Sequence, residues 1–206
     1  MKREGLPIEG LCVAAGIPSA DKAAEIITAL RESGIKHVSF KPGSVEGIRQ
    51  VVNIAASNPD FPVIMQWTGG RAGGHHSCED FHQPMLATYG SIRQFPNLIL
   101  VGGSGFGNVE DVYPYLTGEW SKQYGVQAMP YDGFLFASRV MVAKEAHTST
   151  SVKQLIVDAP GVGDDKVGVV LRLSTLSLTA VSIAVGTNLR QANRRHSDCH
   201  IRTWSV

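Results

Sequence analysis

About five short apolar runs, each closed by glycine or proline and each followed by a segment of helical periodicity, constrain what this chain can fold into. Leu11 to Ala15, Val38 to Phe40, Phe61 to Met65, Leu98 to Val101 and Gly133 to Ala137 read as buried strands. Ser19 is placed to cap a helix with Asp21 in its first turn, Ala23, Ile26, Ile27 and Leu30 on one face, and Gly34 as its stop. Ser44 and Glu46 start a second helix, whose apolar face is Ile48, Val51, Val52 and Ala55 and whose end is Asn58-Pro59. A third is expected from a Ser77 cap, with Asp80 in the capping-box position, through Phe81, Met85 and Tyr89. A fourth is capped by Asn108, with Glu110 and Asp111 in its first turn, and the last runs from Val140 to about Leu155. Continuous apolar strands alternating with amphipathic helices predict an α/β fold with a covered parallel sheet. The pattern alone does not separate an open sheet from a barrel.

Composition narrows the class. The chain has 206 residues, 43% hydrophobic and 18% charged, which fits one soluble globular domain with a sizeable core. A net charge of +1 gives no reason to expect nucleic acid or an anionic membrane surface as the main partner. Cys12, Cys78 and Cys199 lack CxxC spacing and leave one unpaired, so neither a disulfide framework nor a zinc ribbon is indicated. A reduced, cytoplasmic compartment follows as the expectation. No signal-like apolar run opens the chain, and Arg172 with several Ser and Thr residues interrupts the apolar stretch Val167 to Val185, so no membrane span is expected.

The candidate site begins where the third strand ends. Gln66 to Ser77 holds Gly69, Gly70, Gly73 and Gly74, one arginine (Arg71) and the adjacent pair His75-His76. Glycine lets backbone pass close to a ligand, and imidazole exchanges protons near neutral pH. The combination suits a site that holds a flat ligand and does proton chemistry beside it. Two further loops, Gly102-Gly103-Ser104-Gly105 and Ala137-Ser138-Arg139, offer free amides, a hydroxyl and nearby helix N-termini, which together make an anion cradle. A tight strand-to-helix turn is the plainer reading of either loop alone. Lys41, at the end of a strand in Phe40-Lys41-Pro42-Gly43, is a candidate partner for an anionic ring or phosphate, or else a solvated lysine. The dinucleotide fingerprint fails because Asn108 stands where a glycine is needed. His75, His76, Glu79, Asp80 and His82 lie close together, with Glu79 and His82 expected on one helix face. Capping accounts for Glu79 and Asp80, however, and no HExxH or distant ligand completes a set. No metal is therefore assigned.

Gln66 to Ser77, continued by Glu79-Asp80-Phe81-His82-Gln83-Pro84, resembles the enoyl reductase region of the β subunit of fungal-type fatty acid synthases. More broadly it is similar to the flavin barrels of bacterial enoyl reductases and nitronate monooxygenases, which share an Ala-Gly-Gly-His element. Ala14 to Ser19, Val38 to Ser44, Gly102 to Gly107, Tyr113 to Gly118 and Asp132 to Arg139 extend the likeness in the right order. The resemblance implies a partial (β/α)8 TIM barrel, with the five runs as strands four to eight. A whole barrel needs about 250 residues. It implies FMN as cofactor, held by Lys41, Thr68, Gly73, Gly74, Gly102, Gly103, Ser104, Gly105, Ala137, Ser138 and Arg139, and NADPH as hydride source. His75, with His76 as the alternative, would act on the substrate as the catalytic imidazole. The implied substrate is an enoyl thioester on acyl carrier protein, and the implied assembly is a hetero-oligomer with the synthase α subunit.

The resemblance runs from about Gly5 to Asp165 and stops near Lys166. Residues 1–165 are therefore expected to be a partial enoyl reductase barrel, and residues 166–206 a divergent, disordered or aberrant tail carrying Arg190, Arg194, Arg195 and Arg202. A non-catalytic truncated fragment or paralogue is the alternative reading. A nitronate-oxidising flavoenzyme comes third, because the flanks around Trp67 to Arg71 and Phe81 to Pro84 match the synthase better.

Overall fold

A computed structural model describes residues 2–14, 16–71, 79–103 and 105–159. Short hydroxyl side chains start its first two long helices. The Ser19 hydroxyl accepts from the Lys22 amide at 3.3 Å and opens α1 (Ala20–Glu32), and Ser44 accepts from the Gly47 amide at 3.1 Å and opens α2 (Val45–Ser57). Each satisfies an amide that the first turn would leave unpaired. Strands β1 (Gly10–Val13), β2 (His37–Phe40) and β3 (Val63–Trp67) flank them. Helix α3 (Gln83–Ile92), strand β4 (Leu98–Gly103), helix α4 (Val109–Leu116) and strand β5 (Gly133–Leu135) complete the alternation. A 3-10 helix at Glu119–Tyr124, set between Gly118 and Gly125 at φ 77° and 73°, lies between α4 and β5.

The strands form one parallel sheet in the order β1-β2-β3-β4-β5. Paired residues on parallel strands share a face, so the register sorts the side chains. Val38, Phe40, Val63, Met65, Trp67, Leu98 and Leu100 lie on one face and are buried. The helices that join consecutive strands pack on that same side. Ala23 and Ile27 of α1, Ile48, Val51 and Ala55 of α2, and Met85 and Ile92 of α3 complete the core there. Burying each large aliphatic chain contributes about 1.5–3 kcal/mol. Two polar anchors fix the layers. The Asn97 side-chain amide donates to the carbonyls of Ala55, Asn58 and Phe61 at 2.9–3.1 Å, and Arg93 at the end of α3 bonds Asp132 at 2.7 Å.

The opposite face carries Ser39, Ile64, Gln66, Ile99 and Val101, all half-buried. β1 and β5 are edges that do not pair with each other, and Leu11 and Leu135 on them are 45% and 49% exposed. The α/β class and the parallel sheet are as the sequence predicts. A barrel, whole or partial, is not established by five strands that remain an open sheet.

Two helices differ from expectation. The third does not start at a Ser77 cap, since residues 79–82 are not helical and α3 begins at Gln83. The last divides into α5 (Ser138–Met141) and α6 (Thr150–Asp158). The run Thr148-Ser149-Thr150-Ser151 favours turns and caps over a helix interior, and Ser149 takes the N-cap position of α6. The expected boundary near Lys166 and the tail after it lie outside the described residues. Among those described, no helix is long and apolar enough to cross a membrane.

Candidate functional site

The glycine-histidine loop leaves and re-enters the fold through a narrow base. Trp67, fully buried, donates from its indole Nε1 to the Phe81 carbonyl at 2.8 Å, and the Gly70 amide donates to the Glu79 carbonyl at 2.9 Å. Chain segments this close leave no room for a side chain at Gly69. A Cβ there would stand 3.0 Å from Phe81 Cα and 3.3 Å from two carbonyl oxygens, and φ is +49°. Gly69 thus serves close approach at the loop base. Gly73, Gly74, His75 and His76 lie outside the described residues, as does Ser104.

Where the chain returns, the Asp80 carboxylate accepts from the amides of His82 and Gln83 at 2.8 and 2.7 Å. Burial pushes its pKa up, but those amides outweigh it and hold the carboxyl below its ordinary value. Asp80 therefore satisfies amides at the start of α3, and Ser77 lies outside the described residues. Glu79 and His82 precede the helix and do not share the helix face on which the metal alternative placed them. The His82 imidazole instead meets the Tyr115 hydroxyl at 2.8 Å and stacks with Trp120 at 5.3 Å between ring centroids. Among the described residues no group of three His, Cys, Asp or Glu side chains is placed to hold a metal ion.

At the carboxyl end of the sheet, the half-buried face gathers three of the predicted residues. Lys41 follows β2, Thr68 follows β3, and Gly103 closes β4. Burial lowers the Lys41 pKa, with nearby Cys12 acting weakly in the opposite sense. Thr68 is 3% exposed and directly follows the buried Trp67. A Cβ on Gly103 would meet Thr68 Cγ2 at 2.9 Å and Gln66 Nε2 at 3.0 Å. These positions form a ledge that holds polar groups and lacks one side chain.

Gly102 is not part of that ledge. It faces the helices, where a Cβ would meet Phe134 at 2.6 Å and Tyr131 at 3.3 Å, so packing alone accounts for it. The α4 N-terminus is closed by its own side chains. Asn108 accepts from the Asp111 amide at 2.8 Å, and the Asp111 carboxylate accepts from the Gly107 and Asn108 amides at 3.2 Å. An anion cradle would fall instead to the Gly105 loop and to Ala137 and Ser138 at the start of α5. Gly105 takes φ +77°, Ala137 is exposed, and α5 is a single turn. Arg139 is exposed and lines a shallow groove with Gly107, Asn108, Tyr113 and Phe136.

Two features escaped the sequence reading. Gln66 is the one polar residue in the strand Val-Ile-Met-Gln-Trp, and period-two alternation from Val63 would have placed it opposite the core. The aromatic cluster of Phe81, His82, Tyr115, Trp120 and Tyr131 joins α3 to the segment between α4 and β5, and only the density of rings in Tyr113 to Tyr131 hints at it.

Comparison with known proteins gives one family. A family model described as fatty acid synthase subunit beta/Fas1-like, helical, matches residues 62–199. The fatty acid synthase beta subunit pigK of Monascus ruber is 60% identical over 164 residues, covering 80% of this chain and 8% of that protein. The beta subunit aflB of Emericella nidulans is 61% identical over 166 residues, covering 81% and 8%. The Schizosaccharomyces pombe fatty acid synthase subunit beta is 55% identical over the same length, with the same coverage. The chain thus spans 8% of the length of each of these relatives.

Proposed function

Because this chain belongs to the fatty acid synthase β-subunit family, we propose that it is part of the enoyl reductase of such a subunit, serving fatty acid biosynthesis with FMN and NADPH. The observation that carries the reading is the ledge of Lys41, Thr68 and Gly103 at the carboxyl ends of three adjacent parallel strands. Active sites of (β/α)8 barrels lie at that end of the strands. The consecutive strand order supports an arc of such a barrel, since a doubly wound sheet reverses direction at its ligand crevice.

The residues present fit a flavin. Gly103 leaves a gap that a Cβ would fill, Thr68 sets a hydroxyl beside it, and the Lys41 ammonium at the end of the next strand would suit an electron-rich ligand. Lys41, Thr68 and Gly103 would hold the ring side, and Gly73, Gly74, Gly105, Ala137, Ser138 and Arg139 the remainder. When bound, FMN supplies hydride taken from NADPH to the enoyl double bond. The chain's own residues do the rest. His75, with His76 as the alternative, holds the proton that completes reduction. Trp67 and Gly70 clamp the loop that carries both, and the apolar neighbours Ile64, Ile99 and Val101 exclude water from the sheet face. Acyl carrier protein presents the thioester, and an α subunit completes the assembly in the cytoplasm.

The 8% span favours one second reading, in which this chain alone is non-catalytic and the activity needs the longer polypeptide. Both are tested in the full-length β subunit assembled with its α subunit. Under anaerobic conditions NADPH should bleach the flavin band, and an enoyl thioester should restore it. No bleaching by NADPH, or bleaching by a nitronate with no recovery on adding the thioester, would remove the reading. The same assay on the 206-residue chain decides whether it acts alone.

A further inference from the structure

His82 is the polar side chain that the fold places among aromatic rings. Residues 79–82 belong to neither helix nor strand, so no ladder of backbone bonds fixes the chain as it enters α3. Side chains do that instead. Phe81 is 3% exposed, meets Tyr115 edge-on at 5.7 Å between centroids and lies parallel to Tyr131 at 6.2 Å. His82, half-buried, stacks with Tyr115 at 5.9 Å and Trp120 at 5.3 Å, with Tyr124 at 5.8 Å. Its Nε2 stands 2.8 Å from the Tyr115 hydroxyl.

A phenyl ring would satisfy packing alone. An imidazole brings nitrogens that cost free energy among apolar neighbours unless they are bonded. Stacking lets a ring slide and turn in its own plane, whereas a hydrogen bond to Tyr115 fixes both motions. The partners of His82 are themselves fixed. Trp120 donates from Nε1 to the Met129 carbonyl at 2.7 Å, and the Tyr131 amide donates to the Tyr115 carbonyl at 2.9 Å. On the other side, the Phe81 carbonyl accepts from Trp67 and the Glu79 carbonyl from the Gly70 amide. His82 thereby ties the return end of the glycine-histidine loop to α4 and to the 3-10 helix Glu119–Tyr124. His76 precedes Glu79 by only three residues.

We infer that His82 is a positioning residue: held by Tyr115 and Trp120, it sets where the chain bearing His75 and His76 leaves the fold, and takes no part in the chemistry itself. That role rests on the enoyl reductase reading above, in which one of those imidazoles holds the proton that completes reduction. The two halves of the reaction then separate. Oxidation of NADPH gives up a hydride and draws no proton from the loop. Reduction of the enoyl thioester puts hydride on the β-carbon and needs a proton at the α-carbon. Only the second half should depend on His82.

The test uses the full-length β subunit assembled with its α subunit. Tyr115→Phe removes one hydroxyl and keeps every ring, and His82→Phe keeps the stack and removes the bond. In both, recovery of the flavin band with the enoyl thioester should slow about tenfold, part of the ~10²-fold that a 1 Å displacement costs, while bleaching by NADPH keeps its rate. The double variant should be no slower than either single one, since both remove the same bond. Amide exchange, measured without NADPH or thioester, should quicken at Gly70 and stay as in wild type at Leu100. Asn97→Ala loses the bonds to Ala55, Asn58 and Phe61 at the other end of β4 and should do the reverse. There exchange should quicken at Leu100 while bleaching and recovery keep their rates. Equal slowing of bleaching and recovery, unchanged recovery in either single variant, or unchanged Gly70 exchange would overturn the inference and leave the enoyl reductase reading standing. Wild type that NADPH does not bleach would overturn that reading itself, and the inference with it.

Discussion

Adjacent glycines at the end of β4 face opposite sides of the sheet, and alanine at each should produce opposite defects. Neither has positive φ, so the added methyl acts by sterics alone. In Gly102→Ala the Cβ would meet Phe134 Cε1 at 2.6 Å and Cδ1 at 3.0 Å, with Tyr131 Cδ1 at 3.3 Å. Phe134 is itself held against Phe106 at 4.6 Å and Tyr131 at 5.8 Å between centroids, so it cannot step aside. Overpacking of that kind costs about 1–3 kcal/mol. In Gly103→Ala the near atoms are Thr68 Cγ2 at 2.9 Å and Gln66 Nε2 at 3.0 Å. The glutamine end can swing, leaving a shifted Thr68 rotamer that costs about 0.5–1.5 kcal/mol. The methyl, however, then occupies the ledge. Amide exchange at Leu100 and Val101 in the full-length subunit reads the local stability, and FMN titration reads the ledge. Gly102→Ala should speed exchange and keep its FMN affinity in the folded fraction, whereas Gly103→Ala should exchange nearly as wild type and bind FMN at least tenfold more weakly, about 1.4 kcal/mol. Unchanged FMN affinity in Gly103→Ala would refute the placement of the ledge.

Two further outcomes follow from the loop. His75→Ala should lower enoyl thioester turnover by about 10²–10⁴-fold while FMN stays bound, and unchanged turnover beside a large loss in His76→Ala would exchange their roles. Asp80→Ala should cost about 1 kcal/mol at neutral pH through loss of the α3 cap, read by the same exchange measurement. The folded carboxyl titrates below its ordinary 3.8, so the advantage of wild type is present above 3.8 and disappears as pH falls through the lower folded value. An advantage that persists in strong acid would show that the charge is not what caps the helix.

The parts legible in the sequence are those decided by residues close in the chain. Ser19, Ser44 and Asn108 were recognisable as caps because each bonds an amide three residues on. Strand β3 begins two residues later than its apolar run, since the Phe61 amide is committed to a turn with Asn58 and Pro62 has no amide to give. The start of α3 is misplaced because Asp80, three residues after the expected Ser77 cap, itself bonds the amides of His82 and Gln83. Loop composition and family likeness single out Lys41, Thr68 and Gly103, and the strand register sets these positions on one face. Gln66 was missed because it lies inside a strand, where only the pairing with Val101 reveals its direction. Barrel closure depends on how β1 and β5 are covered, which the five strand sequences do not encode.

The central claim is that this segment helps to hold a flavin. Denaturing the purified full-length β subunit and identifying what it releases tests that most directly. The account predicts one FMN per β chain, with release abolished or greatly weakened in Gly103→Ala. A subunit that is folded, releases no flavin and carries stoichiometric zinc would contradict it.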